Sequence, residues 1–360
     1  MSSNRPTGSL PGDQLQKENS EAWLDPFVPR RLLENGHIQT IAGNYMPRAF
    51  PLPEPESRII EVEPAASVHG PSSVLCHCHW QPEEVRRQRL TMILVHGLEG
   101  SSSSRYVLGN SVRALAAGLN VVRMNMRSCG EGEPYSPTIY HSGLSSDVAA
   151  VMAALVRDIG IESFALVGYS MGGNLVLKLA GQLAAAAPPY LKAVVGVSPL
   201  MDLAASSAAL HEPQNRVYEW KFLRPMIDRM RRKMKLYPGL FIENGFDRIR
   251  SMHEFDEKVV ARYGGFTSAE DYYHSVASSN WAEHIAVPTL ILHSTDDPFI
   301  RMVPETREKL FANPNITFIE TTRGGHCAFL TSGRGEDVFW AEKTLLGFLV
   351  ANCESSVGKG

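Results

Sequence analysis

No stretch of this 360-residue chain approaches the 18 or so consecutive apolar residues that a membrane-spanning helix needs, so no spanning helix is expected. Positive charge is not in excess either. Thirty-five Lys and Arg stand against 38 Asp and Glu, a formal net charge of −3, with charged residues only 20% of the chain. Such a chain has no basic field for a polynucleotide, which excludes nucleic acid as the expected partner. Cysteine is scarce: Cys76, Cys78, Cys129, Cys327 and Cys353 are odd in number and lack framework spacing, the pattern of free thiols in a reducing compartment. The opening MSSNRPTGSLPGDQLQKENS lacks the basic, apolar and small-residue series of a secretory signal. A cytoplasmic protein is the expectation, with residues 1–22 as a disordered leader rich in Ser, Gly, Pro and charge.

What is present is hydrophobic residue content of 44%, enough for a large core. Apolar, β-branched runs predict strands at RIIEVE (58–63), MILVH (92–96), NVVRMN (120–125), FALVGY (164–169), AVVGVS (193–198), TLILHS (289–294) and ITFIE (316–320). Most of the later runs are continuous, as strands buried on both faces are. Helical periodicity falls between them at 106–117, 147–159, 174–187 and 336–353. Strands alternating with helices imply a mostly parallel, doubly wound α/β sheet. Residues 203–285 break the rhythm with helical patterns and no convincing strand. The expected organisation is therefore a core of 23–202 and 286–353 with a helical cap, 203–285, inserted late in the sheet.

In an open parallel sheet, reactive groups collect where strands turn into helices at their carboxyl ends. LVGYSMGGNL (166–175) lies at such a turn. Gly168-Tyr169-Ser170-Met171-Gly172 fits G-x-S-x-G, a tight elbow that presents a serine and leaves room only for glycine at Gly168 and Gly172. The five-residue pattern is weak alone; its place between an apolar strand and a long apolar helix is what discriminates it from a glycine-flanked helix cap. A serine hydroxyl needs a base within reach and a carboxylate behind the base. The order serine, acid, histidine is met by STDDPF (294–299) and RGGHCAF (323–329), both on loops after strands. His326 is the expected base and Asp297 the expected acid, with Asp296 as the alternative and Asp202 a third, expected instead to serve as a hinge at the cap entrance. The expected oxyanion donors are the backbone N–H groups of Met171 and of Leu98, the latter in His96-Gly97-Leu98-Glu99-Gly100, where Gly97 lets the loop turn inward.

These residues together resemble the α/β-hydrolase superfamily. ENGHIQTIAGNYMPR (34–48), HGLEGSSSSRY (96–106), NMRSCG (125–130), YHSGLSSD (140–147), GGFTSAEDYYHS (264–275) and DDPF (296–299) are similar to its YheT-like branch, related to membrane-anchored abhydrolase-domain lipases and phospholipases of eukaryotes. The resemblance spans about residues 25–350. It implies carboxylester hydrolysis by Ser170, Asp297 and His326 without a cofactor, on lipid or medium-chain esters. Ser128 stands where the family usually has glycine, and the eukaryotic anchor is missing. Two rival functions share the fold: acyl transfer from the same acyl-enzyme, against which the absence of H-x-x-x-x-D counts, and ligand binding without turnover.

Other features carry weaker signals. Cys76-His77-Cys78-His79 looks like a metal site, yet strand alternation sends thiols and imidazoles to opposite faces and no second ligand cluster follows, so no metal is expected. Residues 220–239 pair apolar Leu223, Ile227, Met230 and Met234 with basic Arg229, Arg231, Arg232, Lys233 and Lys235, a cap helix with peripheral lipid contact as the second reading. Pro225 would lie near its start. Arg127 and Asp147 are expected to serve the fold, as an ion pair or loop anchor near the site; His141 is a loop residue, and His37 has no evident chemistry.

Overall fold

The computed structural model describes residues 23–353 apart from 66, 68–69 and 242–244, and the expected leader at 1–22 lies outside these. Eight strands form one sheet: β1 (Glu56–Glu63), β2 (Ser72–His79), β3 (Thr91–Val95), β4 (Asn120–Met124), β5 (Phe164–Tyr169), β6 (Leu191–Val197), β7 (Thr289–Ser294) and β8 (Ile316–Thr321). Their order is β1-β2-β4-β3-β5-β6-β7-β8. The pairings β1–β2 and β2–β4 are antiparallel and the other five parallel, so the sheet is mostly parallel, as expected.

Nine helices of eight or more residues lie among the described residues: α1 (Gly36–Tyr45), α2 (Arg105–Ala116), α3 (Ser145–Ile159), α4 (Met171–Leu183), α5 (Leu203–Leu210), α6 (Arg216–Leu236), α7 (Ala269–Val276), α8 (Pro304–Ala312) and α9 (Trp340–Cys353). The pleat of β3 explains their distribution. Ile93 and Val95 point to one face, where Val148, Met152 and Leu155 of α3 and Leu175 of α4 cover them; Met92 and Leu94 point to the other, under Val107 of α2 and Leu345 and Phe348 of α9. Both faces are therefore dry, and the parallel strands read as continuous apolar runs for that reason.

Residues 203–285 contribute helices and no strand among the described residues. They carry a separate apolar cluster that includes Met226, Met230, Phe255 and Tyr272 and closes against Phe299 and Ile300 beyond β7. Some boundaries differ from the sequence reading. Helix α4 begins at Met171, three residues early, because the turn at Ser170 feeds directly into it. Helix α6 begins at Arg216, since buried Asn215 bonds the carbonyls of Ala209 and Pro298 and fixes the entry; Pro225 consequently lies inside the helix instead of near its start. Helices α1 and α8 were not anticipated.

Candidate active site

Ser170 joins β5 to α4 with φ 55° and ψ −116°, a conformation that non-glycine residues seldom adopt and that strained functional turns retain. Its neighbours have no alternative to glycine. A Cβ on Gly168 would sit 2.2 Å from the carbonyl oxygen of Gly172, and one on Gly172 would sit 2.3 Å from that of Val95. Ser170 occupies the helix N-cap position, yet its side chain makes no capping bond, and its hydroxyl has no hydrogen-bond partner among the described residues. The backbone is nevertheless held, its N–H donating to Val197 at 2.9 Å.

His326 follows β8 on a loop in which Gly324 and Gly325 both have positive φ. Its Nδ1 is 2.7 Å from Asp297 Oδ2. Asp297 Oδ1 accepts the N–H groups of Phe299 and Ile300 at 3.1 and 2.9 Å, so this carboxylate is held on both oxygens and is itself buried. Asp296 points elsewhere: its Oδ1 accepts the Gly325 N–H at 2.9 Å, bracing the histidine loop from below. Burial opposes charge on His326, but the Asp297 carboxylate, joined by the Cys327 sulfur, outweighs it and holds the imidazole above its usual range. Burial likewise opposes ionisation of Asp297, and His326 outweighs it, holding the carboxyl below the usual carboxylate range. With Nδ1–H directed at the carboxylate, the other ring nitrogen, Nε2, contacts Cys327 Sγ at 3.5 Å, and no hydrogen bond joins it to Ser170. His326 and Ser170 line one cavity together.

The loop after β3 is pinned on both sides of Leu98. The Gly97 N–H donates to the Tyr106 hydroxyl at 2.8 Å, the Glu99 N–H to the Tyr140 hydroxyl at 3.1 Å, and Gly100 N–H to the Gly97 carbonyl at 3.0 Å. Burial pushes His96 down to about 4, so its neutral ring donates from Nδ1 to the Gly97 carbonyl and accepts the Met126 N–H at Nε2. The N–H groups of Leu98 and Met171 have no acceptor among the described residues. A Cβ on Gly97 would come within 3.1 Å of Ser170 Cβ, which measures how closely this loop approaches the serine.

Several positioning groups escaped the sequence reading. Thr40 of α1 accepts the His326 N–H on its hydroxyl at 2.8 Å and donates to the Gly36 carbonyl at 2.7 Å. Gln39 clasps Leu330 through both its amide atoms. His37 stacks on Tyr218 of α6, Tyr218 packs on Phe299, and Phe299 packs on the His326 ring with centroids 4.5 Å apart. The ENGHIQT motif therefore serves as the floor of the histidine loop. Its one readable signal is Asn35, which caps α1 by accepting the N–H groups of His37 and Ile38.

Two cavities meet at Ser170 and Leu98. One, about 1060 Å³ including its open mouth, extends past His326 toward Thr40, Arg105 and Lys221. The other, about 720 Å³, runs beneath the 203–285 helices and is walled mainly by apolar side chains such as Leu200, Leu203, Met226 and Val260.

The remaining residues serve the fold. Asp202 is remote from His326 in its bonding: it accepts the Val303 N–H at 2.9 Å and the Thr306 hydroxyl at 2.8 Å, tying the start of α5 to α8. Arg127 and Asp147 form the expected pair, with two contacts of 2.7 Å. Cys76 and Cys78 lie in the core, whereas His77 bonds Ser102 and His79 accepts from Arg123. No metal-ligand cluster and no helix long and apolar enough to cross a membrane occur among the described residues. On α6, Arg229 and Lys233 turn inward, to Glu99 and to the carbonyls of Glu133 and Ser136, while Arg231 and Arg232 pair with Asp247 and Glu133. His141 is half-buried, its desolvation pushes it down to about 3, and it lines the second cavity.

Residues 91–332 match the family described as "alpha/beta hydrolase fold". "Putative esterase YheT" of Escherichia coli (strain K12) is 31% identical over 336 residues, spanning 91% of this chain and 94% of that protein. "Phospholipase ABHD3" of Mus musculus is 27% identical over 246 residues, 67% of this chain and 59% of that protein. Among solved structures, the Pyrococcus furiosus esterase Pf2001 has a TM-score of 0.52 at 16% identity, covering 85% of this chain and 96% of its own. At that identity the likeness is one of fold.

Proposed function

The chain belongs to the α/β-hydrolase family, in its YheT-like branch, and from that premise we propose that it is a serine carboxylesterase using Ser170, His326 and Asp297. His326 Nε2 takes the Ser170 proton as the oxygen attacks the ester carbonyl, and Asp297 stabilises the imidazolium that results. The N–H groups of Leu98 and Met171 receive the developing oxyanion; each such donor contributes about 2.7–4 kcal/mol. His326 then protonates the departing alcohol. The same ring activates water, which releases the acid from Ser170. This sequence needs no metal or organic cofactor.

The reading is carried by the 2.7 Å contact of His326 with Asp297 beside a serine whose hydroxyl is uncommitted and which fronts both cavities. The apolar cavity suits an acyl chain and the more polar one the leaving alcohol, so lipid or medium-chain esters are the substrate class. Labelling with a fluorophosphonate probe tests it, comparing the intact protein with Ser170→Ala and His326→Ala and mapping the modified peptide. Label on Ser170 that is lost in both variants supports the reading. An unlabelled but folded intact protein would leave a binding role, and transfer of the acyl group to added alcohol in preference to water would make the enzyme an acyltransferase.

A further inference from the structure

The cavity beneath the 203–285 helices is walled mainly by apolar side chains, with His141 and Ser170 among its polar lining and a cluster of polar groups around Asp256. There the chain from Asp256 to Ala261 is wound as a π-helix between two short α-helical turns, a wider coil that is uncommon and recurs at functional sites. Asp256 stands at its first position. Its Oδ2 accepts the Tyr273 hydroxyl at 2.7 Å, and the Tyr273 oxygen in turn accepts the Ser207 hydroxyl at 3.0 Å. Three separate segments, the π-helix, α7 and α5, thus deliver polar groups to one spot, and all three residues line the cavity that also contains Ser170.

The donors of this chain all run toward Asp256, so its carboxyl is the terminus. Tying the three segments together occupies only Oδ2. Oδ1 has no partner among the described residues, yet it is not one of the polar atoms sealed away from solvent. Burial of the carboxyl, only partly offset by the Tyr273 bond, pushes its pKa up to about 7. In either protonation state Oδ1 can exchange a hydrogen bond with a hydroxyl, as acceptor or as donor. A cationic group is a poorer fit, because the surrounding Leu203, Leu210, Met226 and Val260 would strip its water without replacing it. An anion would meet the carboxylate.

We propose that Asp256, with Tyr273 and Ser207 behind it, binds a hydroxyl borne on the acyl part of the substrate, so that this site selects hydroxy-acyl over plain acyl chains. The inference deepens the esterase reading by naming a substrate class, and it rests on that reading for its catalytic meaning. A site that hydrogen-bonds a hydroxyl discriminates against the analogue lacking it, because the buried group is then left unpaired.

The test is binding without turnover. Medium-chain fatty acids and their monohydroxy counterparts, with the hydroxyl moved along the chain, are titrated calorimetrically into the Ser170→Ala protein, alone and combined with Asp256→Leu, Asp256→Asn or Tyr273→Phe. One hydroxyl position is expected to bind about tenfold more tightly than the plain acid, an ordinary value for one well-placed hydrogen bond. Asp256→Leu should abolish that ratio while plain-acid affinity holds or rises, and Asp256→Asn, which keeps an acceptor, should retain part of it. A merely structural Asp256 would lower stability and leave the ratio unchanged. Absence of preference at every hydroxyl position, or a preference that survives Asp256→Leu, overturns the proposal. Fluorophosphonate labelling of Ser170 is read separately in the intact protein, so failure of the hydrolase reading and failure of this one are distinguishable.

Discussion

The guanidinium of Arg229, on helix α6, lies 2.8 Å from the carboxylate of Glu99, the residue that follows Leu98. Glu99 has a positive φ, and its carboxylate also accepts the Tyr140 hydroxyl at 2.7 Å. Both charged side chains are buried, so the helix over the site is tethered to the loop that offers the Leu98 N–H. Removing one member leaves the other charge buried and uncompensated, a loss of about 3–5 kcal/mol. Arg229→Ala should therefore lower unfolding stability by about that amount and slow labelling of Ser170, whereas Glu99→Gln combined with Arg229→Met should cost less than the single change. Denaturant unfolding with parallel labelling rates checks both.

Asp297 and Asp296 are adjacent but do different work. Asp297→Asn removes the charge behind His326 and should lower kcat/KM on a nitrophenyl ester by about 10⁴. Asp296→Asn keeps an oxygen for the Gly325 N–H and should lower it by less than about tenfold. Equal losses from the two changes would contradict the assignment.

The raised affinity of His326 for its proton has a definite sign. Its base form must be free before Ser170 can be activated, so kcat/KM should rise with pH and reach half its maximum above about 6.5, the ordinary imidazole value. Asp297→Asn should move that midpoint down. The attraction between His326 and Asp297 stabilises the fold fully below the unfolded imidazole value and fades as pH rises through the higher folded value. The stability difference between the intact protein and His326→Gln, measured across that range, should shrink accordingly.

Gly97→Ala places a methyl group 3.1 Å from Ser170 Cβ and 3.6 Å from its Oγ. The crowding falls on the nucleophile, so Ser170 labelling should slow by about tenfold or more, while overpacking lowers stability by about 1–3 kcal/mol. Gly172→Ala meets the fixed carbonyl of Val95 at 2.3 Å and should cost more stability than Gly97→Ala in the same unfolding assay.

Thr40→Val keeps the shape of the side chain but removes the acceptor for the His326 N–H. It should reduce kcat/KM by about tenfold, the effect of one lost hydrogen bond, and Thr40→Ser should restore it. Unchanged kinetics in Thr40→Val would show that the histidine loop holds itself.

The inner parallel strands, β3 to β7, were legible because they are buried on both faces and so write largely apolar runs into the chain, whereas the edge strand β8 is only half-buried. The elbow was legible because its steric demand falls on glycines two residues from Ser170. Less was legible where a residue's duty is set by something distant. The basic residues of α6 read as a cationic surface, yet Arg229 and Lys233 are spent on Glu99 and on carbonyls near residues 133–136; composition records charge but not which way it faces. Helix α1 carried no signal beyond its Asn35 cap, because its work is done by a threonine hydroxyl and by the close approach of Gly36 to the Asp296 backbone.

By itself, then, the chain's local pattern determined the sheet, the strand-to-helix turn that displays Ser170, and the order of serine, acid and histidine along it. These follow from periodicity and sterics over a few residues. Which of two neighbouring aspartates meets His326, what supports that histidine from 286 residues away, and where the lone carboxyl of Asp256 opens into an apolar cavity were decided only by tertiary structure. A side chain's direction within a loop is set by the contacts that close the loop, and those contacts come from segments that sequence proximity does not connect.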